Sequence, residues 1–371
     1  MIIGCVKEIK VHEYRVGTIP DHVHNLVMQG HTVYVEKGCA TASGFSDEAY
    51  RQAGAIVLDS AKEVWEKSEL IIKVKEPLES EFQYFREGLI IFAYFHLASV
   101  PELAKAMVEK GVIAIAYETV VDEFNKLPLL RPMSQIAGRL SIQQAAKYLE
   151  IQLGGSGILL SGVPGVRPGK VVVIGGGEVG RSAAKVANGF GADVVIIDNN
   201  IDILNHIDEK HNSEILTVFS TASAIRRELM DADVVIGSVL IPGANAPKLI
   251  KREYLKEMKP GSIIVDVAID QGGCAETSRP TTHEDPVFVV DGILHYCVTN
   301  MPGVVANTST IALTNATSKY LNLIANLGLA KACHKVPLLK LGINTMGHSI
   351  THPAVADSLG YEYVNPDTYL N

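Results

Sequence analysis

Short apolar runs alternate with amphipathic or capped segments along the first third of the chain, at residues 2–6, 32–35, 56–58, 70–74, 89–93 and 112–116. This is the rhythm of a mostly parallel sheet wrapped by helices. Helix signals fall between the runs: Ser60 precedes AKEVWEK, Pro101 opens PELAKAMVEKG, and Gly111 stops it. A second series repeats the rhythm at 171–174, 194–197, 215–218, 234–236 and 263–267, as a doubly wound nucleotide-binding domain would. Between the two series, residues 132–150 place apolar and small side chains at helical spacing and predict a long connecting helix. A further helix is expected to follow MPGVVANTST and end near Gly328, mirroring the first. The chain should therefore cross back, its tail completing the N-terminal domain. The fold class predicted is α/β, with two Rossmann-like doubly wound domains, a cleft between them, and two long helices joining them. One domain should comprise residues 1–128 plus 307–371 and hold substrate; the other, 129–306, should bind the cofactor.

The second series opens on VVVIGGGEVG, residues 171–180, where an apolar run ends in glycines at the spacing of a dinucleotide-binding turn. Gly175 can make the tight turn out of the strand, Gly177 lets backbone approach a pyrophosphate, and Gly180 lets the following helix pack closely. The helix N-terminus behind them supplies free N–H groups and a positive dipole end. Asp198 closes the next apolar run, in the window where a carboxylate accepts both ribose hydroxyls. A carboxylate there repels a 2′-phosphate, so NAD is expected in preference to NADP.

Composition narrows the class. At 371 residues two domains are the natural expectation. A hydrophobic content of 47% with 20% charge is ordinary for a soluble enzyme, and a net charge of −8 argues against a nucleic-acid surface. The five cysteines are scattered and form no C-x-x-C pair, which suits a reduced, cytoplasmic protein without a cysteine zinc site. No H-E-x-x-H pair is present, and His295 near Cys297 is poor evidence for a ligand set, so no metal is expected. MIIGCVKEIK meets charge at Lys7 and reads as a first strand, not a signal peptide. The apolar segment 89–100 is too short to span a bilayer, so no membrane anchoring is implied.

Candidate chemistry lies at strand ends. Lys73 and Lys75, in IIKVKEP, fall on one face of a strand by period two, and physics alone does not choose between them. His96 follows an apolar run where α/β sheets present ligand-binding groups. Asp270 closes VDVAID ahead of Gly272 and Gly273, with Asp266 as the rival acid or a loop-bonding residue.

Taken together, KEIKVHEYRVGTIP (7–20), VKEPLESE (74–81), YFHLAS (94–99), AYETV (116–120), PMSQIAGRLS (132–141), GVPGVRPGKVVVIGGGEVG (162–180), VDVAIDQGGCAETSRPTTH (265–283) and NMPGVV (300–305) resemble the alanine dehydrogenase family over essentially the whole chain. Saccharopine dehydrogenases and transhydrogenase soluble domains share only parts of this series. The resemblance implies NAD-dependent interconversion of L-alanine with pyruvate and ammonia, usually in a homohexamer. By motif position it implies Arg15 as the ligand of the substrate carboxylate, Lys75 as a second substrate-binding cation, and His96 and Asp270 as acid/base groups. It also carries over cofactor contacts at Ser134, Gly177, Glu178, Val179, Ser220, Leu240, Val267, Ala268, Ile269, Asp270, Arg279, Asn300 and Met301, beside Gly175, Gly180 and Asp198. Small-molecule substrates are the implied partners.

Four positions depart from the family pattern. Ile203 stands where a basic residue near the adenosine ribose is frequent, Glu178 stands where an apolar residue is common, and Ala306 and Asn307 replace a more usual Pro and Arg. The Glu178 carboxylate should point away from the pyrophosphate. Competing readings are another amino-acid or opine-type dehydrogenase, and the NADH-holding component of a transhydrogenase, for whose membrane assembly no apolar segment precedes Asn371.

Overall fold

A computed structural model describes residues 1–239 and 246–370. The apolar runs of the first series become β1 (Ile2–Cys5), β2 (Thr32–Glu36), β3 (Ile56–Leu58), β4 (Leu70–Ile72), β5 (Ile90–Ala93) and β6 (Ile113–Ala116). Every residue of β4 and β5 is buried, whereas β2 alternates. Central strands covered on both faces are continuous apolar runs; those with one less covered face are not. The helix signals are also realised. Ser60 Oγ accepts the Glu63 N–H at 3.4 Å, Pro101 sits in the first turn of its helix, and Gly111 ends it at φ 66°.

The second series gives β7 (Lys170–Ile174), β8 (Asp193–Asp198), β9 (Leu216–Phe219), β10 (Val234–Gly237) and β11 (Ile263–Asp266), then a hairpin that the run pattern missed, β12 (Val287–Val290) and β13 (Ile293–Tyr296). The tail adds β14 (Ile343–Met346) and β15 (Ser349–Ile350).

The chain divides into two compact units, Met1–Met133 with Gly303–Asn371, and Ser134–Pro302. In the first, β3-β2-β1-β4-β5-β6 run parallel, β14 pairs antiparallel with β6, and β15 pairs antiparallel with β14 at the edge. Its core gathers Trp65, Ile71, Phe85, Ile91 and Met107. In the second, β9-β8-β7-β10-β11-β13 are parallel and only β12 is antiparallel, at the edge. Val172, Ile174, Leu229, Val235 and Ile264 centre its core.

Both parallel sets share one winding order, in which chain direction across the sheet reverses beside the first strand of the set. Ligands of such sheets gather outside the carboxyl ends of the strands at that reversal. In the first unit this is the edge after β1 and β4; in the second, the edge after β7 and β10. Helix Arg131–Tyr148 carries the chain from the first unit into the second. Helix Ala306–Leu327 lies within the first unit and begins inside the segment expected to precede it.

Candidate active site

In the first unit the carboxyl edge carries a dense set of charges. Arg15 and Glu13 are buried, with side-chain exposures of 2% and 0%. The Arg15 Nε and Nη2 donate to the two Glu13 oxygens at 2.6 and 2.5 Å, a forked pair, and Nη1 lies 3.0 Å from Met133 Sδ. Burial opposes the guanidinium charge, but Glu13 outweighs it and lifts the Arg15 pKa above its ordinary value. A planar fork held on one edge is aimed, since a guanidinium has only a few fixed donor directions.

The two lysines that period-two reasoning could not separate are separated by their partners. β4 ends at Ile72, so strict alternation stops before either of them. Lys73 is fully buried, 3.2 Å from Glu8 Oε2 and 2.9 Å from Glu81 Oε1. Burial disfavours its charge, and the two carboxylates more than restore it, raising its pKa. Glu8 Oε1 also accepts the Val74 and Lys75 N–H groups at 2.6 and 3.3 Å, fixing the chain that carries Lys75. The Lys75 amine itself has no acceptor or ion-pair partner among the described residues, and burial followed by Arg15 pushes its pKa down. A largely buried amine without an ion-pair partner, beside an aimed arginine, can receive a carboxylate.

His96 closes the extension of β5. Its backbone is left-handed, φ 51° and ψ 38°, an uncommon conformation for a residue with a Cβ. Glu118 imposes it: Oε1 accepts the His96 N–H at 2.6 Å and the Phe95 N–H at 3.0 Å. The imidazole is exposed and runs nearly parallel to the Tyr94 ring, 16° between planes at 6.4 Å. Strain held by a neighbouring carboxylate is a common mark of a working position. Neither Glu13 nor Glu118 was singled out from sequence; a buried acid two residues from an arginine, and an acid opening a turn after β6, were the available signals.

In the second unit the glycine turn has three separate geometries. Gly175 has φ 101°, and a Cβ there would meet Ser238 O at 2.9 Å. A Cβ on Gly180 would fall 1.8 Å from Gly175 O, so the helix Glu178–Gly189 can start only because that atom is missing. Gly177, which precedes that helix, has nothing within 4 Å of a built Cβ. The backbone is thus open at the helix N-terminus, where an anion would be met by free N–H groups. Asp198 stands against the turn, its Oδ2 accepting the Gly176 N–H at 2.6 Å and its Oδ1 the Asn200 N–H at 2.8 Å. Each oxygen of a carboxylate that accepts one N–H keeps a further lone pair, with which a diol could bond. These residues fit a dinucleotide.

The remaining cofactor positions fall as follows. Glu178 is tied to Arg181 at 2.8 Å and to Gln135 at 3.1 Å, so its charge is answered within the protein. Gly138 lies so close to Val179 O that a Cβ would sit 2.1 Å away, which seats the helix carrying Ser134 against this turn. Ser220 follows β9 and donates its N–H to Asp198 O at 2.9 Å; the helix cap is Thr221, not Ser220. Ile203 fills the space beside Gly176, where a Cβ would meet its Cγ2 at 2.5 Å. Arg279 stacks over Phe288, 4.2 Å from the ring centroid. Asn300 is left-handed at φ 55°, and Met301 is buried. Leu240 lies outside the described residues.

The rival acids also part. Asp266 is buried, and its Oδ2 accepts from Cys274 N, Ala275 N and Ser278 Oγ at 2.8, 3.1 and 2.6 Å, so it organises the loop. Asp270, in the turn Val267–Gln271 after β11, is exposed. His295 is fully buried between Thr277 Oγ1 at 2.7 Å and Ile293 O at 3.0 Å, and burial lowers its pKa; it is a neutral structural residue. Asn307 donates to Ser43 O at 2.7 Å, replacing a cation by an internal tie.

Known proteins resemble this chain throughout. The models for the alanine dehydrogenase/PNT N-terminal and C-terminal domains match residues 4–137 and 141–353. An alanine dehydrogenase of Bacillus subtilis is 53% identical over 371 residues, covering 100% of this chain and 98% of that one. One of Methanococcus maripaludis is 50% identical over 372 residues, covering 100% of both. A solved L-alanine dehydrogenase matches with a TM-score of 0.95 at 47% identity, over 97% of this chain and 99% of its own. A transhydrogenase from Sinorhizobium meliloti matches with a TM-score of 0.81 at 26% identity, over 95% and 100%. Half of its residues are shared with relatives end to end, and both domain models find their places in order; this chain belongs to the alanine dehydrogenase/PNT family.

Proposed function

We propose that the protein catalyses the NAD-dependent, reversible oxidative deamination of L-alanine to pyruvate and ammonia, by hydride transfer through an iminium intermediate. The observation that carries the substrate half is the pairing of an aimed, buried Arg15 with a Lys75 amine that lacks a partner among the described residues, on the strand-end edge that also bears His96. The substrate carboxylate binds these two cations. His96 hydrogen-bonds to the carbonyl oxygen and passes the protons needed as the carbinolamine loses water. Bound NAD supplies the hydride acceptor, or NADH the donor. When the cofactor binds, the open backbone at Gly177 would take the pyrophosphate and Asp198 the ribose diol, with residues 267–270 at the nicotinamide. Asp270 activates water against the iminium in the deaminating direction and returns a proton in the other.

The enzyme is read as a cytoplasmic homohexamer; no helix among the described residues is long and apolar enough to cross a membrane. A panel of 2-oxo acids with ammonium and NADH tests the substrate. Pyruvate should be preferred over glyoxylate and 2-oxobutyrate, and equal use of all three would remove the alanine assignment. Tight NADH binding with no turnover of any of them would instead favour a cofactor-holding component.

A further inference from the structure

The charges around Lys75 do not pair off one to one. Its electrostatic neighbours are Arg15, Glu76, Lys10 and Glu13. Lys75, Arg15 and Lys10 bring three positive charges; Glu13 and Glu76 bring two negative ones. Lys10 is bound to Glu76, and Arg15 is forked onto Glu13, so each of these pairs is internally matched. Lys75 is then the one of these three cations without a carboxylate partner among the described residues, while Lys73, held between Glu8 and Glu81, adds no cation to spare. Glu13 contributes more than alignment to this balance, because its side chain is wholly buried and its field is weakly screened by solvent.

We infer that Glu13 is a specificity-determining residue, which by neutralising Arg15 leaves Lys75 as the single unmatched cation of the substrate site and so selects 2-oxo monocarboxylates against dianions. A monoanion satisfies Lys75. A second negative charge would have no cation left to answer it and would face the Glu13 carboxylate behind Arg15. Size does not enter this argument, which separates it from exclusion by pocket shape. The inference rests on the proposed binding of a 2-oxo acid carboxylate at Arg15 and Lys75.

Oxamate and oxalate supply the test, being nearly the same size and differing by one charge. Inhibition by each is measured in the amination assay for the wild type, Glu13→Gln and Glu13→Asp. The wild type should favour oxamate. Glu13→Gln keeps an acceptor for the guanidinium but removes the charge, and should shift the oxalate-to-oxamate ratio of inhibition constants toward oxalate by about tenfold or more. Glu13→Asp changes the geometry but keeps the charge, and should preserve the wild-type preference. NADH binding and thermal unfolding of each variant report whether it is folded. An unchanged ratio in folded Glu13→Gln, or parallel loss of both inhibitors in both variants, would overturn the charge role. Failure of oxamate to compete with pyruvate in the wild type would count against the carboxylate site itself. Should Glu13→Gln not fold, oxalate binding as well as oxamate to wild type and Glu13→Asp would equally refute the inference.

Discussion

Lys73 and Lys75 stand two residues apart in IIKVKEP, and their replacement by methionine should have opposite consequences. Lys73 is enclosed by Glu8 and Glu81 at 3.2 and 2.9 Å with no exposed surface. Methionine there fills much of the volume but leaves two buried carboxylates without their cation. Breaking a buried ion pair from one side costs about 3–5 kcal/mol. For a unit of this size each kcal/mol corresponds to about 2–4 °C, so the melting temperature should fall by roughly 6–20 °C. Lys75 carries the reverse load: its charge is desolvated and has no ion-pair partner among the described residues. Lys75→Met should leave the melting temperature unchanged or slightly raised. Losing one charge-assisted hydrogen bond to substrate, worth about 1.5–3 kcal/mol, should raise the KM for pyruvate by about one to two orders of magnitude. Thermal unfolding and steady-state kinetics on the two variants decide the matter. A stable Lys73→Met with a selective KM defect, or an unstable Lys75→Met with normal KM, would refute the assignment.

Further outcomes follow from the same geometry. Gly177→Ala meets no protein atom, so its melting temperature should hold while NADH titration shows weakened binding; unchanged affinity would mean that the open backbone does not receive the pyrophosphate. Gly180→Ala should weaken NADH binding and also lower stability, because the added carbon collides with Gly175 O. Glu118→Ala frees the N–H groups of Phe95 and His96 at a cost of about 1–3 kcal/mol; kcat should fall with NADH affinity intact, and an unaltered kcat would remove Glu118 as the positioning residue of His96. Burial holds the pKa of His295 below 6.5, so below that pH the unfolded chain takes up a proton that the native state refuses. The contribution is complete above pH 6.5 and is lost as pH falls toward the folded value. His295→Gln should flatten the decline of melting temperature with acidification; an identical slope would show that His295 does not cause it.

Much of the fold was readable because buried parallel strands leave continuous apolar runs. Among the described residues, six of the eight strands of the first unit and five of the seven of the second lie on those runs. The β12–β13 hairpin was missed since β12 is an edge strand with partly exposed residues and leaves a weaker signal. At the glycine turn, local chemistry sufficed: Gly175, Gly177, Gly180 and Asp198 have distinct steric tasks that spacing alone reveals. The substrate half was proposed from resemblance alone, because Arg15, the chain at Lys75 and His96 are held by Glu13, Glu8 and Glu118. Two of those three carboxylates come from distant parts of the sequence, and no periodicity links an acid to the cation or backbone it will hold. Asp266 and Asp270 were inseparable for the same reason until the loop bonds of Asp266 were visible.

The most direct measurement of the central claim follows nitrogen and hydride together, by incubating the protein with pyruvate, NADH and ¹⁵N-ammonium. L-Alanine carrying ¹⁵N should form in equal amount to the NADH consumed, with no consumption when ammonium is omitted. NADH loss without ammonium, a product lacking ¹⁵N, or no turnover by protein that binds NADH would contradict the assignment.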